Sequence, residues 1–290
     1  MTELAQAVAN GLQMGLLYAL VAVGLAIIWG LMEMVNFAHG EFMMLGMFGA
    51  WWLSATLGWD PLVAMVPVGL AIYVLGVATY SQLMRRVQRG DAFAQIFATV
   101  GLLLFLQNGA VALFTSDYRF VSDTVLARLS GTQLSILGVK LGVPLLLAGL
   151  LALVLFIALY LLVDRTEFGL ALQATSEDRD AAMLVGIRPQ RMFAVAWGLG
   201  AALVGIAGVI LANFFSVYPQ VGLSFTVLAY AIVALGGFGS ILGTLCAALL
   251  VGVVQSVTVV YLPPAFKDAF VFGSYLLIGL FRPQGLFGRF

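Results

Sequence analysis

The feature that most constrains this chain is the spacing of its charges, because long stretches carry none. The charge-free intervals are residues 4–32, 42–59, 61–84, 92–116, 141–163, 192–266 and 269–281. A helix of about 20 apolar residues crosses the hydrocarbon core of a bilayer, which is about 30 Å thick. Five intervals each fit one such helix, and the 75-residue interval fits three. The spacing therefore predicts a polytopic membrane protein.

Composition and residue counts exclude several other classes. Of the 290 residues, 63% are hydrophobic and 9% are charged, against about 45–50% and about 25% in soluble domains. A formal net charge of zero argues against nucleic acid as a partner, since that binding needs a basic face. The single Cys246 excludes a disulfide framework, the single His39 excludes a two-histidine zinc motif, and no P-loop motif is present. We predict that this chain is not an enzyme and binds no metal or other cofactor of its own.

Turn-forming residues divide the 75-residue interval into three segments. The breaks fall at 218–220 and at 236–240, and the last span is completed by taking residues 266–281 together. The long apolar runs do not alternate with polar residues as the strands of a membrane barrel would. We expect an all-α fold with about eight or nine hydrophobic segments, some broken or re-entrant, in one transmembrane domain over residues 1–290.

Basic residues predict the orientation, because cytoplasmic loops are enriched in lysine and arginine. The nine bases expected in the cytoplasm are Arg85, Arg86, Arg89, Arg165, Arg179, Arg188, Arg191, Arg282 and Arg289. The four bases in the alternate loops are Arg119, Arg128, Lys140 and Lys267. Counting back through the earlier segments places the N-terminus outside, or inside if residues 33–41 turn within the membrane.

The segment 164–191 concentrates nine charges between two predicted spans. We expect Ser176 to be the N-cap of a surface helix about ten residues long, with acidic residues in its first turn. Gly186 is expected to end that helix, and Pro189 prevents its resumption. The exposed side would carry the acids and the opposite side Ala, Met and Leu. A docking surface for a soluble partner is favoured over a simple solvated turn.

Two interruptions of the hydrophobic segments are candidate parts of a transport pathway. Transporter sites often lie where membrane helices are broken, and ionisable groups within a membrane are usually functional. The candidate residues are Asn36, Phe37, His39 and Glu41 at the first break, and Gly236, Gly237, Phe238 and Gly239 at the second. Capping at the cytoplasmic interface remains the alternative at the first break, and a tight interhelical turn at the second. Because the spans hold no charge pairs, we do not expect the passage to grip a zwitterion tightly.

Four motifs resemble the branched-chain amino acid permease family of ABC importers, and most closely its LivH-type subunit. They are Asn36-Phe37-Ala38-His39-Gly40-Glu41, Glu177-Asp178-x-x-Ala181-Ala182-x-Leu184-x-Gly186-Ile187, Ala234-Leu235-Gly236-Gly237-Phe238-Gly239-Ser240 and Pro283-x-Gly285-Leu286-Phe287-Gly288-Arg289. They occur in the family's order across nearly the whole chain. No long extension precedes the first span, as is typical of the LivH-type subunit.

The resemblance implies a multi-pass subunit of the bacterial inner membrane that imports leucine, isoleucine or valine. Its implied partners are a second permease in a heterodimer, two cytoplasmic ATPases that bind ATP and Mg²⁺, and a periplasmic or extracellular binding protein. By the same resemblance, contact with the ATPases falls to Glu177, Asp178, Arg179, Ala181, Ala182, Leu184, Gly186, Ile187 and Arg188. Related permeases carry urea, short amides or other amino acids. An ion-coupled secondary transporter and a channel or structural membrane subunit remain as rivals of other classes.

Overall fold

A computed structural model describes residues 2–88, 90–136, 138–282 and 284–288. The helices are α1 Thr2–Met32, α2 His39–Leu57, α3 Pro61–Val87, α4 Ala92–Phe114, α5 Val125–Arg128, α6 Val143–Arg165, α7 Glu167–Glu177, α8 Arg179–Leu184, α9 Pro189–Leu211, α10 Val221–Gly236, α11 Ile241–Tyr261 and α12 Lys267–Phe281. The strands are β1 Gln133–Ile136 and β2 Val139–Gly142. Three residues named above, Arg89, Pro283 and Arg289, lie outside the described residues.

The predicted all-α membrane architecture is confirmed. Seven helices of the described chain are long and apolar enough to cross a membrane: α1, α3, α4, α6, α9, α11, and α12 together with the 3₁₀ turn Pro264–Phe266. The other two predicted hydrophobic segments form α2 and the 16-residue α10. Each of the nine segments predicted from charge spacing and turn-forming residues therefore corresponds to one helix.

Helix α1 lies at the centre of the bundle. Residues 17–28 are all buried, because α6, α9, α10 and α11 pack around this helix. Glycine allows the closest of these approaches. A Cβ on Gly24 would stand only 2.5 Å from the carbonyl oxygen of Gly200 in α9. Such small-residue contacts are typical of membrane helices, which associate through close van der Waals packing.

Contacts between loops define two faces of the bundle. Gln6, near the start of α1, exchanges two hydrogen bonds with the backbone of Lys140, at 2.6 and 2.7 Å. Arg119 forms a backbone bridge with Val217 on the same side. We call this end the lysine face; its basic residues are Arg119, Arg128, Lys140 and Lys267. The other end is the arginine face; its basic residues are Arg85, Arg86, Arg165, Arg179, Arg188, Arg191 and Arg282. The start of α1 lies on the lysine face, at the opposite end of the bundle from the arginine face.

The lysine face carries a small antiparallel hairpin that the sequence patterns did not predict. Strands β1 and β2 pair with Gln133 opposite Gly142. On the same face, Arg128 Nε donates to Asp123 Oδ1 at 3.0 Å. The hydrogen bond and the positive charge of Arg128 hold the pKa of the exposed Asp123 carboxyl below its ordinary value. These short elements close the loop between α4 and α6.

Candidate functional site

Two consecutive helices, α7 and α8, lie on the arginine face where one helix was predicted. Asp178 separates them and is the N-cap of α8, since its Oδ1 accepts from the backbone N–H of Asp180 at 2.9 Å and of Ala181 at 3.0 Å. The prediction that Ser176 is the cap was wrong. Ser176 lies in the last turn of α7, where its hydroxyl donates to the carbonyl of Gln173. The helix-forming run before Ser176 carries α7 past it, so α8 keeps only six residues instead of about ten.

Gly186 ends this segment as predicted. Its φ of +86° is left-handed, a conformation that side chains other than glycine rarely adopt. The N–H of Gly186 donates to the carbonyl of Met183, and that of Ile187 donates to the carbonyl of Ala182. Pro189 then begins α9, where its missing N–H is no loss.

The side chains at the end of α8 point the other way from the prediction. Ala182 is buried, whereas Leu184 is 89% exposed. We call the exposed apolar residues Met183, Leu184 and Val185 the α8 patch. The helix has only six residues, and Ala182 is the one among them that is buried against the bundle. Contiguous exposed apolar side chains are a common feature of interaction surfaces, and docking of a partner at this patch stays a prediction.

The remaining predicted coupling residues surround this patch. Arg179 lies with its guanidinium 4.9 Å from the ring centroid of Phe193, which anchors α8 to α9. Ile187 is half-buried, and the exposed residues are Glu177, Asp178, Ala181 and Arg188. The structure thus gathers the predicted residues on one face, and their contact with ATPases stays a prediction.

The first helix break carries its polar residues into the interior. After α1 ends, residues 33–38 turn back, so that His39 Nε2 donates to the carbonyl of Val21 at 2.9 Å. Val21 lies in the central, buried part of α1. Asn36, His39 and Glu41 are all fully buried, and Phe37 is half-buried. Exposed capping at the membrane surface therefore does not describe these three polar residues.

Several polar atoms at this break are left without partners. Asn36 is tied through its backbone N–H to Tyr230 Oη at 2.6 Å and through Oδ1 to the N–H of Ala38. Among the described residues, Asn36 Nδ2, His39 Nδ1 and both carboxyl oxygens of Glu41 have no hydrogen-bond partner. Buried polar atoms of this kind usually mark a functional or hydrated site. Their role in a pathway remains a prediction.

The second break is closed by the C-terminal segment. Gly237 and Gly239 have φ of +98° and +79°, which lets the chain turn between α10 and α11. The N–H of Leu286 donates to the carbonyl of Leu235 at 2.8 Å, and that of Phe287 to Gly236 at 3.1 Å. These bonds satisfy carbonyls at the end of α10. The carbonyl of the buried Gly236 therefore already has a hydrogen-bond donor within the chain.

The two breaks lie close together in space. The ring of Phe238 is 4.5 Å from that of Trp29, near the end of α1. At the first break, Phe37 faces Tyr230 of α10 with 5.8 Å between ring centroids. Phe238 is 44% exposed, so this side of the second break borders the surface. The first break is thus packed against α10 and the second against α1, and a role of either in transport stays a prediction.

A cavity that sequence reasoning missed opens at the lysine face. Its volume is about 510 Å³, and its walls come from α1, α10, α11, α12 and the loop before α10. The polar groups that define it are Tyr18, Gln255, Lys267 and Asp268. The four positions belong to three helices, so their spacing along the chain carries no signal. Only the adjacent opposite charges at the start of α12 could have drawn attention to it.

Comparison with known proteins identifies the family. A model described as "Branched-chain amino acid transport system / permease component" matches residues 7–279. The chain belongs to this permease family. Its permease relatives include the "High-affinity branched-chain amino acid transport system permease protein BraD" of Pseudomonas aeruginosa, 29% identical over 98% of this chain and 95% of the relative. The "High-affinity branched-chain amino acid transport system permease protein LivH" of Escherichia coli K12 is 28% identical over 97% of this chain and 94% of the relative.

More distant permeases match a smaller part of the chain. The "Autoinducer 2 import system permease protein LsrC" of Yersinia enterocolitica is 29% identical over 44% of this chain and 38% of the relative. No solved structure matches. The resemblance read from the four motifs is confirmed, and this permease is a multi-pass membrane protein.

Proposed function

We propose that this permease is the membrane subunit of an ATP-driven, binding-protein-dependent importer of leucine, isoleucine and valine in the bacterial inner membrane. The observation that carries the proposal is the α8 patch, because it places exposed Met183, Leu184 and Val185 on the arginine face. The similarity to BraD and LivH, which are named as branched-chain amino acid permeases, supports this cargo.

The geometry of the patch supports docking of a soluble partner. An exposed leucine and valine contribute apolar area that a partner's cleft can bury, at about 25 cal/mol per Å². The cap at Asp178 and the left-handed Gly186 hold α8 at a set angle to the bundle. Arg179 anchors it to Phe193 of α9. A movement of the partner would therefore be transmitted to α9 through α8, a short helix that is fixed at both ends.

The proposed assembly divides the work among several chains. Two cytoplasmic ATPases would bind ATP and Mg²⁺ and hydrolyse the ATP, since this sequence contains no P-loop motif. They would contact the arginine face, which the positive-inside rule places in the cytoplasm. A second permease would complete the passage, and a binding protein would deliver the amino acid at the lysine face.

Uptake of labelled leucine by sealed vesicles tests the proposal. The vesicles hold this chain, a second permease, the ATPases and the binding protein. We expect uptake that requires internal ATP and all of the components. Uptake that persists without ATPases and follows a proton or sodium gradient would show a secondary transporter instead. Transport of urea or short amides with no transport of leucine would replace the proposed cargo.

A single substitution tests the role of the α8 patch. Leu184→Asp puts a charge where the proposed interface is apolar, so we expect the ATPases to dissociate from the membrane assembly and leucine uptake to be lost. Leu134→Asp is the matched control, since Leu134 is also exposed but lies on the lysine face. Equal ATPase retention by the two variants would contradict the proposed docking surface.

A further inference from the structure

The cavity at the lysine face has the chemistry of a site for a small amphipathic zwitterion. Its volume of about 510 Å³ lies within the range of small-molecule pockets. It extends from Tyr218, in the loop before α10, to Tyr18, which is at the middle of α1. It therefore runs from one face of the bundle to the depth where transporters commonly bind their cargo.

A chain of hydrogen bonds orients the acidic group of this cavity. Tyr18 Oη donates to Gln255 Oε1 at 2.8 Å, and Gln255 Nε2 donates to Asp268 Oδ1 at 3.1 Å. Tyr18 and Gln255 are only 8% and 9% exposed, so the two donors sit against the bundle and point toward the cavity wall. Fixed hydrogen bonds of this kind hold a carboxylate in one position for a cationic ligand.

The adjacent Lys267 supplies the opposite charge. The two ion pairs of the described residues lie elsewhere, so within that part of the chain Lys267 and Asp268 have no oppositely charged side chain within 4.0 Å. Each can instead pair with a ligand, and charge-assisted hydrogen bonds are about twice as strong as neutral ones. Two opposite charges on consecutive residues match the ammonium and carboxylate that an α-amino acid carries on one carbon.

Apart from Ser216 and Ser224, the rest of the wall is apolar or aromatic. Phe225 is held by two edge-to-face contacts, with ring centroids 6.4 Å from Tyr18 and 5.7 Å from Phe215. Leu228 and Phe272 line the same cavity. An aliphatic side chain would bury its surface there, whereas a charged one would lose its hydration without a partner.

We propose that this cavity binds a free α-amino acid with an aliphatic side chain, with its ammonium on Asp268 and its carboxylate on Lys267. The inference rests on the proposed function for the direction of transport, and it adds a specific site on this chain. This site also revises the expectation that the passage does not bind a zwitterion tightly. Its charged groups, Lys267 and Asp268, lie at the start of α12, outside the charge-free spans.

Protection of a single introduced cysteine tests the site without transport. The native Cys246 is exposed, so Cys246→Ser provides the background. In that background, Ser224→Cys lines the cavity and Ser122→Cys, also exposed on the lysine face, is the control. The full chain is placed in phosphatidylglycerol nanodiscs and treated with a methanethiosulfonate reagent. We expect saturating leucine to slow modification of Ser224→Cys about fivefold or more, because a pocket covers most of its ligand, and to leave Ser122→Cys unchanged.

Ligand and charge variants sharpen the test. Isoamylamine, which lacks the carboxylate, and 4-methylpentanoate, which lacks the ammonium, should protect much less than leucine. Lys267→Gln and Asp268→Asn should each remove protection, whereas Lys140→Gln and Asp117→Asn should not. Equal reaction of Ser224→Cys with and without leucine would overturn the site. Protection by added phosphatidylethanolamine in place of leucine would also overturn it and indicate a lipid headgroup.

The same preparations separate this site from the proposed function. Uptake of leucine without protection would overturn the cavity site and leave the importer standing. Protection without ATP-driven uptake would support the site and overturn the importer. Loss of both would overturn both.

Discussion

Gly46 of α2 and Gly205 of α9 meet backbone to backbone where their helices cross, and a Cβ on Gly46 would overlap the carbonyl oxygen of Gly205. This contact, together with that of Gly40 and Gly222, holds α2 inside the bundle. Because α2 carries His39 and Glu41, two of the buried polar residues of the first break, the position of that break depends on glycine.

Gly46→Val should therefore destabilise the whole bundle. Overpacking a closely packed contact costs about 1–3 kcal/mol, and here the overlapping atom is backbone that cannot turn away. We expect a fall of several degrees in the melting temperature of the purified protein, with a lower yield of folded protein in the membrane. Gly101→Val is the control, since a Cβ there meets no atom within 4 Å. A melting temperature for Gly46→Val equal to that of the control would be inconsistent with the contact.

Replacing Glu41 tests whether the fold at the first break needs a negative charge or only a side chain of the same size. Both oxygens of Glu41 are buried and, within the described chain, unpartnered. A neutral amide fits the same space, so Glu41→Gln should leave the melting temperature unchanged or raise it. Glu41→Lys should abolish folded protein, because an unpaired ammonium is costly within a membrane. Glu33→Lys, at an exposed position, is the control and should fold. A marked loss of stability in Glu41→Gln would show that the carboxylate has a partner.

Gly186, the left-handed residue at the end of α8, should be needed to couple ATP hydrolysis to leucine uptake. In Gly186→Val the β-branched side chain is incompatible with a φ of +86°, so the segment after α8 must change its path. We expect ATP hydrolysis by the assembly to continue while leucine uptake falls, with this chain still present in the membrane. Gly186→Asn should keep most of the uptake, since asparagine tolerates this conformation best after glycine. Normal coupled uptake by Gly186→Val would contradict the role of α8.

The hydrogen bonds that join the C-terminal segment to the end of α10 depend on Gly285. Its φ is +79°, and a Cβ would lie 2.5 Å from the backbone nitrogen of Gly237. Gly285→Ala should displace residues 284–288 from the end of α10, which would expose the carbonyls of Leu235 and Gly236. We expect faster proteolysis near the C-terminus and a lower melting temperature. Gly279→Ala, in open space within α12, should be neutral or stabilising. Identical rates of proteolysis of the two variants would contradict this role of Gly285.

Patterns along the chain predicted much of the architecture. Charge spacing and turn-forming residues together marked all nine hydrophobic segments, and the basic residues marked the arginine face. Gly186 was identified as a helix end because its conformational freedom is a property of the residue itself. The cap was misplaced from Asp178 to Ser176, since either residue can accept the N–H bonds and only the length of α7 decides between them.

Burial was decided by the tertiary structure. Asn36 and His39 look the same in sequence whether they cap a helix at the membrane surface or lie beside the middle of α1. The fold buries them because glycine contacts draw α2 against α9 and α10. The cavity arises in the same way, since Tyr18, Gln255 and Asp268 are joined only when α1, α11 and α12 pack together. Composition and local conformation act through each residue and its neighbours in the chain, whereas a site of this kind depends on which helices meet and at what depth.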